Sequence, residues 1–301
     1  MKLPEEFRTR IVNTFPEGAS WIARLPDLVR EAAARWHLQV DEAVPNLSYN
    51  YVAPALRVDG TDCILKIGVP NRELTSEISA LQIYAGEGAC CLYEADAARG
   101  MLLVERLHPG MMLHEYGTQA EQTELAAGLM KRLWKPAPLA EDLLDLQGWF
   151  DGLKGLRRRF HGGTGPFPER LVGMVETLLP ELQAECRQPV LLHGDCHHFN
   201  ILSSGRGWLV IDPKGVIGAA EYEPAPFLIN PWDAYLRLPN PVQVAEERIR
   251  IFARVLERDA RLIHAWAVCH CLLSAWWDLD DSGGGIDYPL ACAGILLQVK
   301  L

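Results

Sequence analysis

The sequence predicts an α+β chain of two lobes, a small sheet-rich amino-terminal lobe followed by a larger helical one, on three observations. Apolar residues in the first third switch between helical and strand-like spacing, whereas beyond residue 118 helical spacing dominates. The change falls at Leu107-His108-Pro109-Gly110, where proline and glycine punctuate the chain like a hinge, so the lobes are drawn as residues 1–107 and 108–301. The composition, 49% apolar and 23% charged over 301 residues, is that of a globular protein with chain enough for one large domain or two modest ones.

The elements follow in order. Residues 26–39 carry a helical stripe of Leu28, Val29, Ala32, Ala33 and Trp36. A first strand falls near residue 40, and residues 51–58 and 62–67 read as strands on either side of the hairpin dipeptide Asp59-Gly60. Residues 71–84 return to helix, with Leu74, Ile78 and Leu81 on one face. Residues 90–95 and 101–105 read as two more strands, with Arg99-Gly100 in the turn. Past the hinge, helices are expected over 119–134, 143–160 and 169–185, short strands over 190–192 and 207–211, and helices from 242 onward. Gly162-Gly163-Thr164-Gly165-Pro166 and Gly283-Gly284-Gly285 mark loops. The most apolar run, residues 262–277, falls short of the ~20 residues that span a bilayer and reads as a buried core helix.

Acidic side chains outnumber basic ones 39 to 29, for a net charge of −10. That balance argues against a nucleic-acid-binding surface and favours a cationic small molecule as partner. Eight cysteines in 301 residues are too sparse to staple a fold, and Cys269-His270-Cys271 lacks zinc-site spacing. They read as reduced thiols of a cytoplasmic protein. Residues 1–10 carry five charges and no apolar core of a targeting segment, and no membrane association is expected.

The segment richest in chemistry is Leu191-Leu192-His193-Gly194-Asp195-Cys196-His197-His198-Phe199-Asn200-Ile201-Leu202. Its aspartate is followed five residues on by an asparagine, and Val210-Ile211-Asp212 ends another apolar strand twelve residues after that. Phosphoryl transfer from ATP needs such a set: one carboxylate to take the acceptor hydroxyl's proton, and an amide with a second carboxylate to hold Mg²⁺. Zinc is the competing reading, through His193, Cys196, His197 and His198. Against it, no second ligand pair stands at a recognisable spacing, and neighbouring side chains in one loop rarely converge on one ion.

Upstream, Lys66 interrupts the apolar strand Cys63-Ile64-Leu65-Lys66-Ile67, and Glu77 follows eleven residues later on the next helix. Taken singly, Lys66 reads as a sheet-edge lysine and Glu77 as a solvated glutamate. Taken together with Asp195, Asn200 and Asp212, they complete the lysine–glutamate half of kinase chemistry in the order it requires.

With these residues in place the chain resembles the aminoglycoside phosphotransferase family, a branch of the protein-kinase-like fold. His193 to Asn200 match its H-G-D-x-x-x-x-N signature, and Ile211-Asp212-Pro213 its I-D-P. His197-His198, Arg206 to Gly215 and Cys271 to Trp276 are similar to the branch of streptomycin 6-phosphotransferases and hydroxyurea phosphotransferases. The resemblance implies a two-lobed fold with a small antiparallel sheet and a larger helical lobe. It implies Asp195 as catalytic base, His193 as a structural member of its loop, and Asn200 and Asp212 as Mg²⁺ ligands. It implies Lys66, paired with Glu77, on the phosphates of ATP, and Glu105, Arg106 and Leu107 as the hinge beside adenine. The loop over the phosphates would be Leu47-Ser48-Tyr49-Asn50-Tyr51, where Ser48 and Asn50 stand in for the usual glycines. Pro213-Lys214-Gly215 after Asp212, in place of Phe-Gly, and the missing A-P-E segment separate the chain from protein kinases.

A streptomycin-like acceptor carries two guanidinium groups, which carboxylates pair with bidentately. Asp233, Glu221, Glu223, Asp278, Asp280 and Asp281 are the candidates, each with a solvated acidic face as the alternative. Of the adjacent Trp276 and Trp277, about 100° apart on a helix, one belongs to the core and the other is free for the pocket, and Trp276 is assigned to it. The activity expected is ATP-dependent phosphorylation of a hydroxyl, with an aminoglycoside as acceptor. The alternatives are another hydroxyl compound, such as hydroxyurea or an amino alcohol, or a nucleotide-binding pseudoenzyme, from which loss of Asp195, Asn200 or Asp212 would be expected.

Overall fold

The computed structural model describes residues 3–138, 142–232, 234–282 and 285–301. Two helices open the chain, α1 (Glu5–Thr14) and α2 (Gly18–Trp36). The helical stripe read from the sequence starts at Pro26. In the structure the helix begins a full two turns earlier. Trp21, Ile22 and Leu25 continue the buried stripe of Leu28 and Ala32, and that burial outweighs the missing amide at Pro26.

The strands β1 (Leu38–Val40), β2 (Asn50–Arg57), β3 (Asp62–Gly68), β4 (Leu92–Asp96) and β5 (Met101–Glu105) form one antiparallel sheet in the order β1-β2-β3-β5-β4. Helix α3 (Arg72–Tyr84) connects β3 to β4, its first turn capped by Asn71, whose side chain accepts the Leu74 amide at 2.9 Å. The two-residue period of β3 sends Cys63, Leu65 and Ile67 to the face that α1 and α2 cover. Ile64 and Lys66 take the other face, opposite Val104 and Leu102 of β5. Since β3 has a strand on each side, Lys66 is not a sheet-edge lysine.

Beyond the sheet, β6 (Pro109–Met112) leads into α4 (Gln119–Leu133), β7 (Lys135–Pro136), β8 (Leu144–Asp145), α5 (Leu146–Asp151), α6 (Lys154–Arg159) and α7 (Glu169–Glu185). Then come β9 (Val190–Leu192), β10 (Ile201–Ser204), β11 (Gly207–Val210) and β12 (Val216–Gly218). The chain ends in helices α8 (Ala225–Leu228), α9 (Pro241–Leu256), α10 (Ala260–Ser282) and α11 (Asp287–Leu296). The single helix expected over 143–160 is instead a two-residue strand and two short helices, since Gly148, Gly152 and Gly155 weaken a continuous helix there. The small sheets β11-β10-β6 and β7-β9-β12-β8 hold the loops between these strands. Glycines 283 and 284 lie outside the described residues, and no helix among those described is long and apolar enough to cross a membrane.

The lobes are joined by more than a hinge. The inner face of the large sheet, α3 and the helical lobe share one apolar cluster running from Leu74 to Leu296. The Cys90 amide donates to the Val210 carbonyl and the Val210 amide to Gly88, both at 2.9 Å.

Candidate active site

Residues 193–200 join β9 to β10, and their backbone is held from several sides. Gly194 has a left-handed φ of 82°, and a Cβ there would come within 2.8 Å of Val216 and 3.1 Å of Trp149. Glycine is needed for both reasons. The His193 ring donates from Nε2 to the Ile211 carbonyl (2.9 Å) and accepts the Asp195 amide at Nδ1 (3.2 Å), which fixes the neutral tautomer. Burial pulls its pKa down to about 4. Asn200 Nδ2 donates to the Asp195 carbonyl at 2.9 Å and reaches its carboxylate at 3.4 Å. His197 accepts the Phe199 amide at Nδ1 (3.3 Å), leaving Nε2 to face Asp195 Oδ1 at 3.4 Å.

Beneath this loop lies Glu223, completely buried, accepting the His193 amide (2.8 Å) on one oxygen and the Gly194 amide (3.0 Å) on the other. Burial pushes its pKa up to about 7, against the pull of those two amides. It braces the loop rather than facing an acceptor. Nothing in Tyr222-Glu223-Pro224 announces this, because its partners lie about thirty residues upstream. Glu221, two residues earlier, turns toward Arg258 (3.6 Å).

The second cluster lies across the cleft. Lys66 Nζ contacts both Glu77 oxygens (2.7 and 2.8 Å) and reaches Asp212 Oδ1 at 3.1 Å. Lysine and glutamate are almost wholly buried, while the aspartate opens to the cleft. Burial works against the ammonium, but Asp212 and Glu77 outweigh it and hold its pKa above the ordinary lysine value. Asp212 has a left-handed backbone, φ 57°. Ser76 of α3 ties the two parts together, donating to the Gly215 carbonyl (2.7 Å) and accepting the Leu144 amide (3.1 Å). The Lys214 amide donates to the His193 carbonyl (2.7 Å), and the Ile211 amide to that of Asn200 (3.0 Å), so the Asp212 segment and the Asp195 loop form one frame.

Other predicted residues fall less uniformly. Asn50 begins β2 opposite Gly68, two residues past Lys66, and Ser48 is exposed in the preceding loop. Glu105 accepts the Cys91 amide (2.9 Å) and pairs with Arg206, Arg106 pairs with Asp62 (3.2 Å), and Leu107 is buried. Trp276 turns away from Asp195, packing on Phe167 (6.3 Å between ring centres) with the Arg159 guanidinium over its ring (5.7 Å). Trp277 instead lies edge-on, at 5.2 Å, to Trp149, the ring that approaches Gly194. The sequence could not choose between them, because α10 is buried on nearly all sides and shows no polar face there. Asp280 pairs with Arg159 (3.0 Å), Asp278 is half-buried beside Trp277, and Asp233 lies outside the described residues. The crowd of His and Cys splits up. Cys196 is fully buried, and His198 stacks on Phe227 at 3.9 Å. Among the described residues no group of three or more His, Cys, Asp or Glu could hold a metal.

A lysine–glutamate pair under a five-stranded sheet, facing an aspartate–asparagine loop on a helical lobe, defines a phosphotransferase of the protein-kinase-like fold. Comparison with known proteins agrees. The choline kinase LicA from Streptococcus pneumoniae shares this fold, with a TM-score of 0.66 and 14% identity over 91% of this chain and 98% of that one. Residues 35–282 match the profile of the aminoglycoside/hydroxyurea antibiotic resistance kinases, and the chain belongs to that family. A streptomycin 6-kinase of Streptomyces glaucescens is 31% identical over 95% of this chain and 94% of its own length. A hydroxyurea phosphotransferase of Kitasatospora aureofaciens is 31% identical over 93% of this chain and 81% of its own.

Proposed function

We propose that this kinase transfers the γ-phosphoryl group of ATP to a hydroxyl of a small cationic acceptor of the streptomycin kind, with Asp195 as the base. The observation that carries the reading is the continuity of the site. The Lys66–Glu77–Asp212 ion cluster and the Asp195–Asn200 pair are linked through the backbone contacts of Ile211 and Lys214. Such a frame positions a phosphate chain and an acceptor against each other, which is most of what phosphoryl transfer asks of a protein.

Lys66 would contact the phosphates, steadied by Glu77, under the Ser48–Asn50 loop, with Glu105, Arg106 and Leu107 along the adenine side. Asp212 and Asn200 would hold Mg²⁺. Both offer oxygen, Asp212 is open to the cleft, and Mg²⁺ is usually held by one or two carboxylates plus substrate phosphates rather than by a full protein cage. When bound, it neutralises charge on those phosphates. Asp195 takes the acceptor hydroxyl's proton on a carboxylate oriented by Asn200 and His197. We take the lobes to be residues 1–107 and 108–301, a division supported by the break between β5 and β6. Eight free thiols suit a cytoplasmic enzyme, where ATP is available.

Purified protein screened for ATP consumption against streptomycin, other aminoglycosides, hydroxyurea and amino alcohols should respond most strongly to streptomycin. Activity should vanish with EDTA and return with Mg²⁺. A response to hydroxyurea alone would move the assignment to the neutral acceptor of the Kitasatospora relative, and silence toward every acceptor would overturn it.

A further inference from the structure

We propose that the acceptor is received on an aromatic wall made by Trp149 and Trp277, its guanidinium-type group packed against the rings while a hydroxyl reaches Asp195. This rests on the phosphotransferase reading above.

The wall is placed by the loop itself. Trp149 stands so close to Gly194 that a Cβ there would lie 3.1 Å from its ring, and Gly194 immediately precedes Asp195. Trp277 meets Trp149 edge-on, at 5.2 Å and 88°. Both indoles are half-buried, whereas Phe150, Tyr222 and Trp266 behind them are closed into the core. An indole that keeps part of its surface beside a reactive carboxylate is placed to meet a ligand.

The surroundings suit a cation. Aromatic faces attract guanidinium groups, which are planar and weakly hydrated. Behind the wall, the Tyr222 hydroxyl and His270 Nδ1 are hydrogen-bonded at 2.8 Å, and His270 lies 6.3 Å from Trp277. Burial keeps that imidazole neutral, with a pKa pulled down to about 4, so it does not repel a positive ligand. Asp195 follows Gly194, the residue that the Trp149 ring approaches, and Asp278 follows Trp277 in the chain, so the wall carries negative charge in its vicinity. A neutral acceptor such as hydroxyurea gains none of the cation–π attraction.

The test compares Trp277→Leu, Trp277→Phe and Trp149→Leu with the wild type in the full-length enzyme. KM and kcat are measured for streptomycin, hydroxyurea and ATP, and circular dichroism checks folding. Trp277→Leu should raise the KM for streptomycin roughly tenfold, the scale of a desolvated cation–π contact, while Trp277→Phe keeps most of the affinity. The KM for ATP should move by less than about twofold, as expected when only one substrate's binding is touched. An unchanged KM for streptomycin, or equal losses toward ATP and streptomycin, would overturn the wall. If the wild type turns over no acceptor, the phosphotransferase reading fails first. Titration of the tryptophan fluorescence with streptidine then decides the wall separately: binding lost in Trp277→Leu supports it, and no binding to the wild type overturns it.

Discussion

The two sides of the cleft handle charge in opposite ways. Where the sheet side meets the Asp212 segment, Lys66 lies within hydrogen-bonding distance of both Glu77 and Asp212, and the ammonium is kept charged although it is almost wholly buried. On the helical side, burial pushes His193, His270 and Glu223 toward their neutral forms, while Lys214 stays charged with Glu73 and Asp195 among its partners. His193 and His270 are both pulled to about 4, and Glu223 is pushed to about 7. The difference follows from what each side must do. A polyphosphate needs fixed positive charge where it lies. A carboxylate that is to accept a proton is a better base without cationic imidazoles beside it.

The largest break in this contrast is Asp195→Asn. Turnover should fall by at least ~10², the usual size of a lost general base, while nucleotide affinity stays near that of the wild type. Single-turnover rates and nucleotide titration separate the two, and a variant with wild-type turnover would remove Asp195 from the chemistry. Next is Lys66→Ala, which leaves Glu77 buried without its cation. A loss of roughly 3–5 kcal/mol in unfolding free energy is expected, with lower turnover, and Lys66→Ala/Glu77→Leu should regain stability but not activity.

Glu223→Gln sharpens the comparison through pH. The folded state holds the Glu223 proton up to about pH 7, above the ordinary carboxylate value of 4.5. Its contribution to stability is therefore fully present below about pH 4.5 and is lost as pH rises through 7. Wild-type stability relative to the variant should decline across that window by about 3 kcal/mol, followed by denaturant titration at several pH values. A flat difference would mean that the carboxyl is ionised throughout. Smallest of all, Glu221→Gln should shift stability by less than ~1 kcal/mol, because its partner Arg258 is a partly exposed surface group.

The donor side was far more legible than the acceptor side. Lys66 draws notice because a cation interrupts a strand whose neighbours are apolar. Glu77 alone reads as a solvated glutamate and gains meaning from its order along the chain with Lys66, Asp195, Asn200 and Asp212. The acceptor side depends on contacts between distant segments. Glu223 looked like any carboxylate in a loop until the fold brought two amides to it. Trp277 and Trp276 could be told apart only by what packs on each side of α10. The same holds for the first thirty-odd residues, where α1 offers only Phe7 and Ile11 as a buried pair and Pro26 hides the continuity of α2.

Asp212 sets a limit on how this gene can drift. Its φ of 57° is a conformation that aspartate, asparagine and glycine adopt more readily than other residues. Of these only aspartate also brings a negative charge to Lys66. Asparagine, one nucleotide away in the genetic code, keeps the backbone and loses the charge. Selection for inactive alleles should therefore find stable, folded asparagine substitutions here, and lysine or valine at the same position should be recovered as poorly folded protein.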